Sequence, residues 1–316
     1  MNAPGAALPM REGTISLARL VDLYMAHYTG RDETRPQRLG WWVAQVGHVA
    51  LQDLSDDHVH AALEALAERP SRYYAGKDAE GRSVYRAKKG TKIAPATVNR
   101  YHASLAAVIT WAIKRRIAPK GYVHPCRSVE RRPEDNARTR FLSDDECRRL
   151  LEACRASSWP RLYLLVLMAL TTGARKGELA GLTWADVDLE RAEALVARTK
   201  NGDARVLPLT PAVVEELRKF GPAGASSLVF RSARGPDRLF GFEPKYLQAL
   251  KSARIAGATF HTLRHSAASL LARNGRTLLE IADVLGHRQL AMTKRYSHLA
   301  TSHKAALVNS VMGGLR

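Results

Sequence analysis

Arg161-Leu162-Tyr163-Leu164-Leu165-Val166-Leu167-Met168-Ala169-Leu170-Thr171-Thr172-Gly173-Ala174-Arg175-Lys176-Gly177-Glu178-Leu179 is the stretch on which the second half of the chain turns. From Arg161 to Leu170 it is apolar nearly all round, a pattern that a helix sustains only at the centre of a core. The helix should end near Thr172, with Gly173 making the turn and a new helix starting near Arg175. A helix start turns free N–H groups toward an anion. Arg175 adds a planar, permanently charged fork that can grip two phosphate oxygens. Glu178, one turn on, is placed to orient that fork. The ordinary alternative is a surface arginine paired with Glu178.

Outward from this stretch, Phe141 opens the second domain, and Ser143-Asp144-Asp145-Glu146 forms a capping box before a helix to about Cys154. Ala194 to Leu209 reads as two strands around Asn201-Gly202, a pair that tolerates positive φ in a tight hairpin. Lys200 stands directly before that turn; a lysine there is ordinarily solvated, and its functional reading is a mobile cation that donates a proton. Thr210-Pro211 starts a mostly helical remainder. In the first half, Ile15 to about Leu66 is helical, with Leu17, Leu20, Val21 and Tyr24 on one face and Ser55 as an N-cap. Arg69 to Lys92 breaks the pattern with Pro70, Gly76, Gly81, Gly90 and many charges, so a basic surface loop or hairpin is expected. Helical periodicity returns from Ala96 to Arg116 and ends in the cluster Lys114-Arg115-Arg116. Pro119, Gly121, Pro125 and Pro133 then suggest a linker. The expected organisation is a tail over 1–13, a helical domain over 14–118, a linker over 119–140 and a second domain over 141–316. Its C-terminal tail, Ser302 to Leu315, carries an apolar stripe. The fold class is mainly α with a small antiparallel β-sheet: a helical N-terminal domain and a mixed α+β second domain.

The chain has 316 residues with 49 Lys and Arg against 30 Asp and Glu, a formal net charge of +19. Excess charge of one sign costs self-repulsion and points to a polyanion partner, nucleic acid first. Cys126, Cys147 and Cys154 form no CxxC pair and would leave one over, which argues against a disulfide framework or a zinc site and fits a reducing cytoplasm. Met1 to Met10 lacks an apolar stretch after a basic start, so no signal peptide is expected. No run reaches the length of a membrane span.

Three further features complete the pattern. His261-Thr262-Leu263-Arg264-His265 puts an imidazole and a guanidinium three residues apart on one helix face. Thr277-Leu278-Leu279-Glu280 is another capping box, its helix stops at Gly286, and His287 follows at once. Tyr296 comes nine residues after His287. Each feature alone has an ordinary reading: a capping histidine, a salt-bridged arginine, a helix-end hydrogen-bonder, a packed tyrosine. In this order they closely resemble the tyrosine recombinase (phage integrase) family, over about Phe141 to Leu299. The positions matching its active-site pattern are Arg175, Lys200, His261, Arg264, His287 and Tyr296.

The resemblance implies a helical core-binding domain ahead of a catalytic domain, together clamping double-stranded DNA. It implies a site-specific recombinase that needs neither ATP, metal nor other cofactor. Tyr296 would attack a phosphodiester to give a 3′-phosphotyrosine and a free 5′-hydroxyl. Arg175 and Arg264 would hold the phosphate, with His287 as a further donor. His261 is the candidate to take the phenol's proton, Lys200 to protonate the departing oxygen, and His265 and Glu178 to support them. Lys114, Arg115 and Arg116 are candidate DNA contacts. A homotetramer on two duplexes, with monomers or dimers off DNA, and accessory DNA-bending or directionality factors follow from the same resemblance. So does a bacterial cytoplasmic location, on a mobile genetic element. A type IB topoisomerase and a DNA-binding protein without catalysis are the competing readings.

Overall fold

The computed structural model describes residues 15–134, 140–197, 204–221, 224–300 and 308–312. The chain divides into two units, Met1–Asn136 and Ala137–Arg316.

The first unit packs four helices, α1 (Leu17–Ala26), α2 (Arg35–Val46), α3 (Asp56–Ala67) and α4 (Pro95–Lys114). Ser16 and Ser55 start α1 and α3 by accepting the Arg19 and His58 backbone N–H groups. Leu17, Leu20, Leu39, Trp42, Leu105 and Ile109 are fully buried between the helices. Trp42 keeps its indole N–H satisfied by donating to the Tyr101 carbonyl at 2.9 Å. Between α3 and α4 the chain makes an antiparallel ribbon, β1 (Pro70–Lys77) and β2 (Ser83–Lys92). The stretch expected as a linker behaves differently over its described length. Ile117, Ala118, Tyr122 and Val129 pack on the first unit's core, and Cys126 is buried in it. Asn99 and Arg132 exchange two hydrogen bonds, at 2.8 and 3.0 Å, and His102 Nε2 meets the Cys126 carbonyl at 2.9 Å. Proline and glycine shape this segment, yet its apolar side chains and Asn99 tie it down.

In the second unit α5 (Asp144–Arg155) begins at the Ser143 capping box, and α6 (Leu162–Thr172) is buried on nearly every side. A short α7 (Lys176–Ala180) follows. Strands β3 (Val187–Asp188), β4 (Glu193–Val196) and β5 (Arg205–Pro208) form an antiparallel sheet, with Ala194, Val196 and Leu207 turned into the core. After α8 (Pro211–Phe220), a small pair β6 (Arg231–Ser232) and β7 (Gly235–Leu239) leads to α9 (Glu243–Ser252). Helices α10 (Phe260–Arg273) and α11 (Leu278–Leu285) precede two 3-10 segments, Leu290–Met292 and Lys294–Ala300. Among the described residues no helix is long and apolar enough to cross a membrane.

Candidate active site

The site is built where α6 stops. Gly173 adopts φ 61°, and its N–H bonds back to the Ala169 carbonyl. That left-handed turn leaves the Gly173 carbonyl to accept from Arg264 Nη1 at 2.7 Å, across from α10. A Cβ at Gly173 would fall 2.3 Å from Leu285 Cδ2, so glycine is also required by packing.

Arg175 N-caps α7 with extended backbone, and Glu178 closes the cap. The Glu178 carboxylate accepts from the Arg175 backbone N–H at 2.9 Å and from its Nη1 at 2.6 Å. The helix start is therefore already occupied by a carboxylate, and any anion must be held by the guanidinium instead. The other face of Glu178 takes Arg205 Nη2 at 2.8 Å, while Arg205 Nη1 donates to the Val284 carbonyl at 2.8 Å. Burial opposes ionisation of Glu178, but the Arg175 N–H and guanidinium and the Arg205 charge together hold its carboxyl below the usual range.

Arg205 escaped the sequence reading. An arginine at the start of a short strand looks solvated, and only the β5–α11 contact reveals otherwise. Arg264 is almost fully buried, and its Nη2 has no hydrogen-bond partner among the described residues; Arg205 Nε is likewise unpaired. Burial, then the Arg175 and Arg205 charges, bring the Arg264 guanidinium down to about 10, still cationic at neutral pH. Two guanidinium groups, Arg175 and Arg205, thus pair with one buried carboxylate, and the Arg264 guanidinium lies near them without an ion pair of its own among the described residues. The surplus positive charge and the unpaired inward donor suit an oxyanion.

Tyr296 sits in the Lys294–Ala300 segment, 2% exposed, against Ala268, Ala272, Ile281 and Leu285. Its hydroxyl lies 2.5 Å from His265 Nδ1. The structure therefore sets His265, not His261, on the phenol. His261 lies one helical turn before His265 on the surface of α10, their rings perpendicular at 4.7 Å. Burial and the neighbouring His261 and Arg295 charges push His265 down to about 4. His261 is lowered too, by desolvation and by Arg264, Arg175 and Arg295. With Nε2 carrying the ring proton, neutral His265 accepts the Tyr296 O–H. Burial raises the phenol's own pKa, against the pull of Arg295 and Arg264.

His287 follows Gly286, which caps α11 at φ 65°. Its Nδ1 meets the buried Thr293 hydroxyl at 2.7 Å, and burial with Arg264 and Arg175 nearby brings it to about 4. Thr293, another residue the sequence did not single out, fixes that ring. Lys200 lies outside the described residues; the strands flanking it end at the Val196↔Arg205 pair. Lys114, Arg115 and Arg116 are exposed at the end of α4 in the first unit, whereas this cluster belongs to the second. Among the described residues no group of three or more His, Cys, Asp or Glu converges as a metal site.

A fold of this kind, with two arginines, histidines and a tyrosine gathered around α6, α10 and α11, belongs to a known class. The phage integrase family profile matches residues 140–303. A protein of Pseudomonas phage Pf1 assigned as an integrase is 32% identical over 250 residues, 79% of this chain and 72% of that one. The tyrosine recombinase XerD of Rhizobium meliloti is 30% identical over 159 residues, 48% of this chain and 51% of XerD. The Tn1549 transposon integrase, solved in complex with transposon right end DNA, has the same fold. Its TM-score is 0.71 at 16% identity, over 94% of this chain and 99% of that one. The chain belongs to the phage integrase family, the tyrosine recombinases, which cut and rejoin DNA at specific sites.

Proposed function

We propose that this chain recombines double-stranded DNA at a specific site, with Tyr296 as the nucleophile. The observation that carries the reading is the Tyr296 hydroxyl seated 2.5 Å from His265 Nδ1, near the Arg264 guanidinium with its unpaired buried donor. The Tyr296 oxygen attacks the phosphorus, and its proton passes to His265. The bond from phosphorus to the 5′-oxygen breaks, and Lys200 supplies the proton that oxygen needs. The product is a 3′-phosphotyrosine that keeps the ester's energy, so a 5′-hydroxyl from another duplex reverses the step. Arg175 and Arg264 hold the non-bridging oxygens as charge gathers on them, and His287 adds a donor. Glu178 and Arg205 position Arg175. His261, on the surface beside His265, relays the proton outward.

In the first unit we assign the exposed side of α4 to a groove of the duplex, with Lys114, Arg115 and Arg116 on phosphates. Assembly as a tetramer on two duplexes completes strand exchange, and accessory bending or directionality factors set its direction. The setting that goes with this reading is the cytoplasm of a bacterium.

A randomised pool of nicked suicide duplexes tests the mechanism. Wild type should trap a covalent adduct whose phosphate maps to Tyr296, and Tyr296→Phe should trap none. Arg264→Ala should bind the trapped duplex but cleave it about 100-fold or more slowly. An adduct with Tyr296→Phe would overturn the assignment.

A further inference from the structure

The ribbon β1–β2 stands outside the core of the first unit. None of its described side chains is buried, and none joins the cluster around Trp42 and Leu105. Tyr74 and Tyr85 face each other across the strands with ring centroids 5.8 Å apart, each 54% exposed. A two-stranded ribbon wet on both faces gains little from its own pairing, so a partner is needed to make the element worthwhile.

Its charge says which partner. From Arg69 to Lys92 there are eight Lys and Arg side chains against two acids, Asp78 and Glu80. Both acids are engaged by Arg82 near the tip, and Lys92 pairs with Glu68 at the base. Arg72, Lys77, Arg86, Lys88 and Lys89 are exposed and carry no ion pair among the described residues. The register sets Arg72 beside Ala87 and Tyr73 beside Arg86, so Arg72 and Arg86 lie on opposite faces. An acidic protein surface would meet one face. The walls of a DNA groove carry phosphates on both sides, and the major groove is wide enough for a two-stranded ribbon.

We propose that the ribbon is a second duplex-DNA contact of the first unit, its unpaired cations meeting phosphates on either wall of a groove and its tyrosines lying along the backbone. The proposal rests on the recombinase reading above, but it concerns affinity rather than chemistry.

The test compares the full chain with a variant carrying Arg72→Gln, Lys77→Gln, Arg86→Gln, Lys88→Gln and Lys89→Gln. All five sites are exposed, and circular dichroism checks the fold. Binding to a fluorescent random-sequence duplex several helical turns long is measured across a salt series. The variant should bind about tenfold more weakly or worse, with the slope of log K on log salt reduced by about 0.9 for each phosphate no longer neutralised. Its adduct yield on a suicide duplex at saturating protein should equal that of wild type. Unchanged affinity and unchanged slope, with wild type still forming adducts, would overturn the ribbon proposal alone. Wild type that neither binds the duplex nor forms an adduct would sink the recombinase reading with it.

Discussion

At the scale of single residues, the histidines are set to stay neutral. Folding lowers His265 and His287 from an ordinary value of 6.5 to about 4. A neutral His265 can take the Tyr296 proton anywhere above that value. The same shift has a consequence for stability. Between about 6.5 and about 4 the unfolded chain binds protons at these positions and the folded chain does not. Their contribution is whole above the unfolded value and is lost as pH falls through that window. The melting temperature of wild type should therefore drop across it. Replacing both histidines with glutamine should make the drop shallower while abolishing fast cleavage. An equally steep drop in the double variant, followed by calorimetry, would show that the titration lies elsewhere. Glu146, held at about 2 chiefly by its Arg140 hydrogen bond, loses its contribution as pH falls from about 4.5 to about 2, so it overlaps only the lower end of the histidine window.

At the scale of elements, two glycine-capped helix ends place the site. Gly173 and Gly286 both take positive φ, and a side chain on either would strike Leu285 or Arg205. Gly173→Ala should cost more than about 1 kcal/mol in urea unfolding, because the left-handed backbone and the Leu285 contact both resist it. Gly177→Ala, in helical α7 with nothing within 4 Å of a new Cβ, should be neutral or mildly stabilising. Equal losses at the two positions would deny the turn its special role. These ends were legible in the sequence because caps are local: Ser143, Thr277, Gly173 and Gly286 announce themselves within one helical turn. The pairing of Tyr296 with His265 was not, since it joins residues 31 apart through the packing of α10 on the last segment. Nor was Arg205, whose partners Glu178 and Val284 lie far along the chain. The segment after α4 misled for the opposite reason, its proline and glycine content hiding apolar side chains that dock on the first unit.

At the scale of the whole molecule, the residues of the candidate site all lie in one part of the chain. The guanidinium cluster and Tyr296 belong to the second unit, and the groups that hold them, Gly173, Glu178, His265 and Val284, all precede Ala300. Residues 308–312 form a short helix whose Val308, Val311 and Met312 are 56%, 66% and 55% exposed. Three neighbouring exposed apolar side chains are what a contact between copies of the chain, as proposed above, would bury. Deleting everything after Ala300 should therefore leave single-site DNA binding near the wild-type level and impair assembly of the synaptic complex. Gel-shift titration of one site, set beside sedimentation of the complex on two duplexes, separates the two effects. An equal loss of both would place the tail in the fold of its own protomer rather than between protomers.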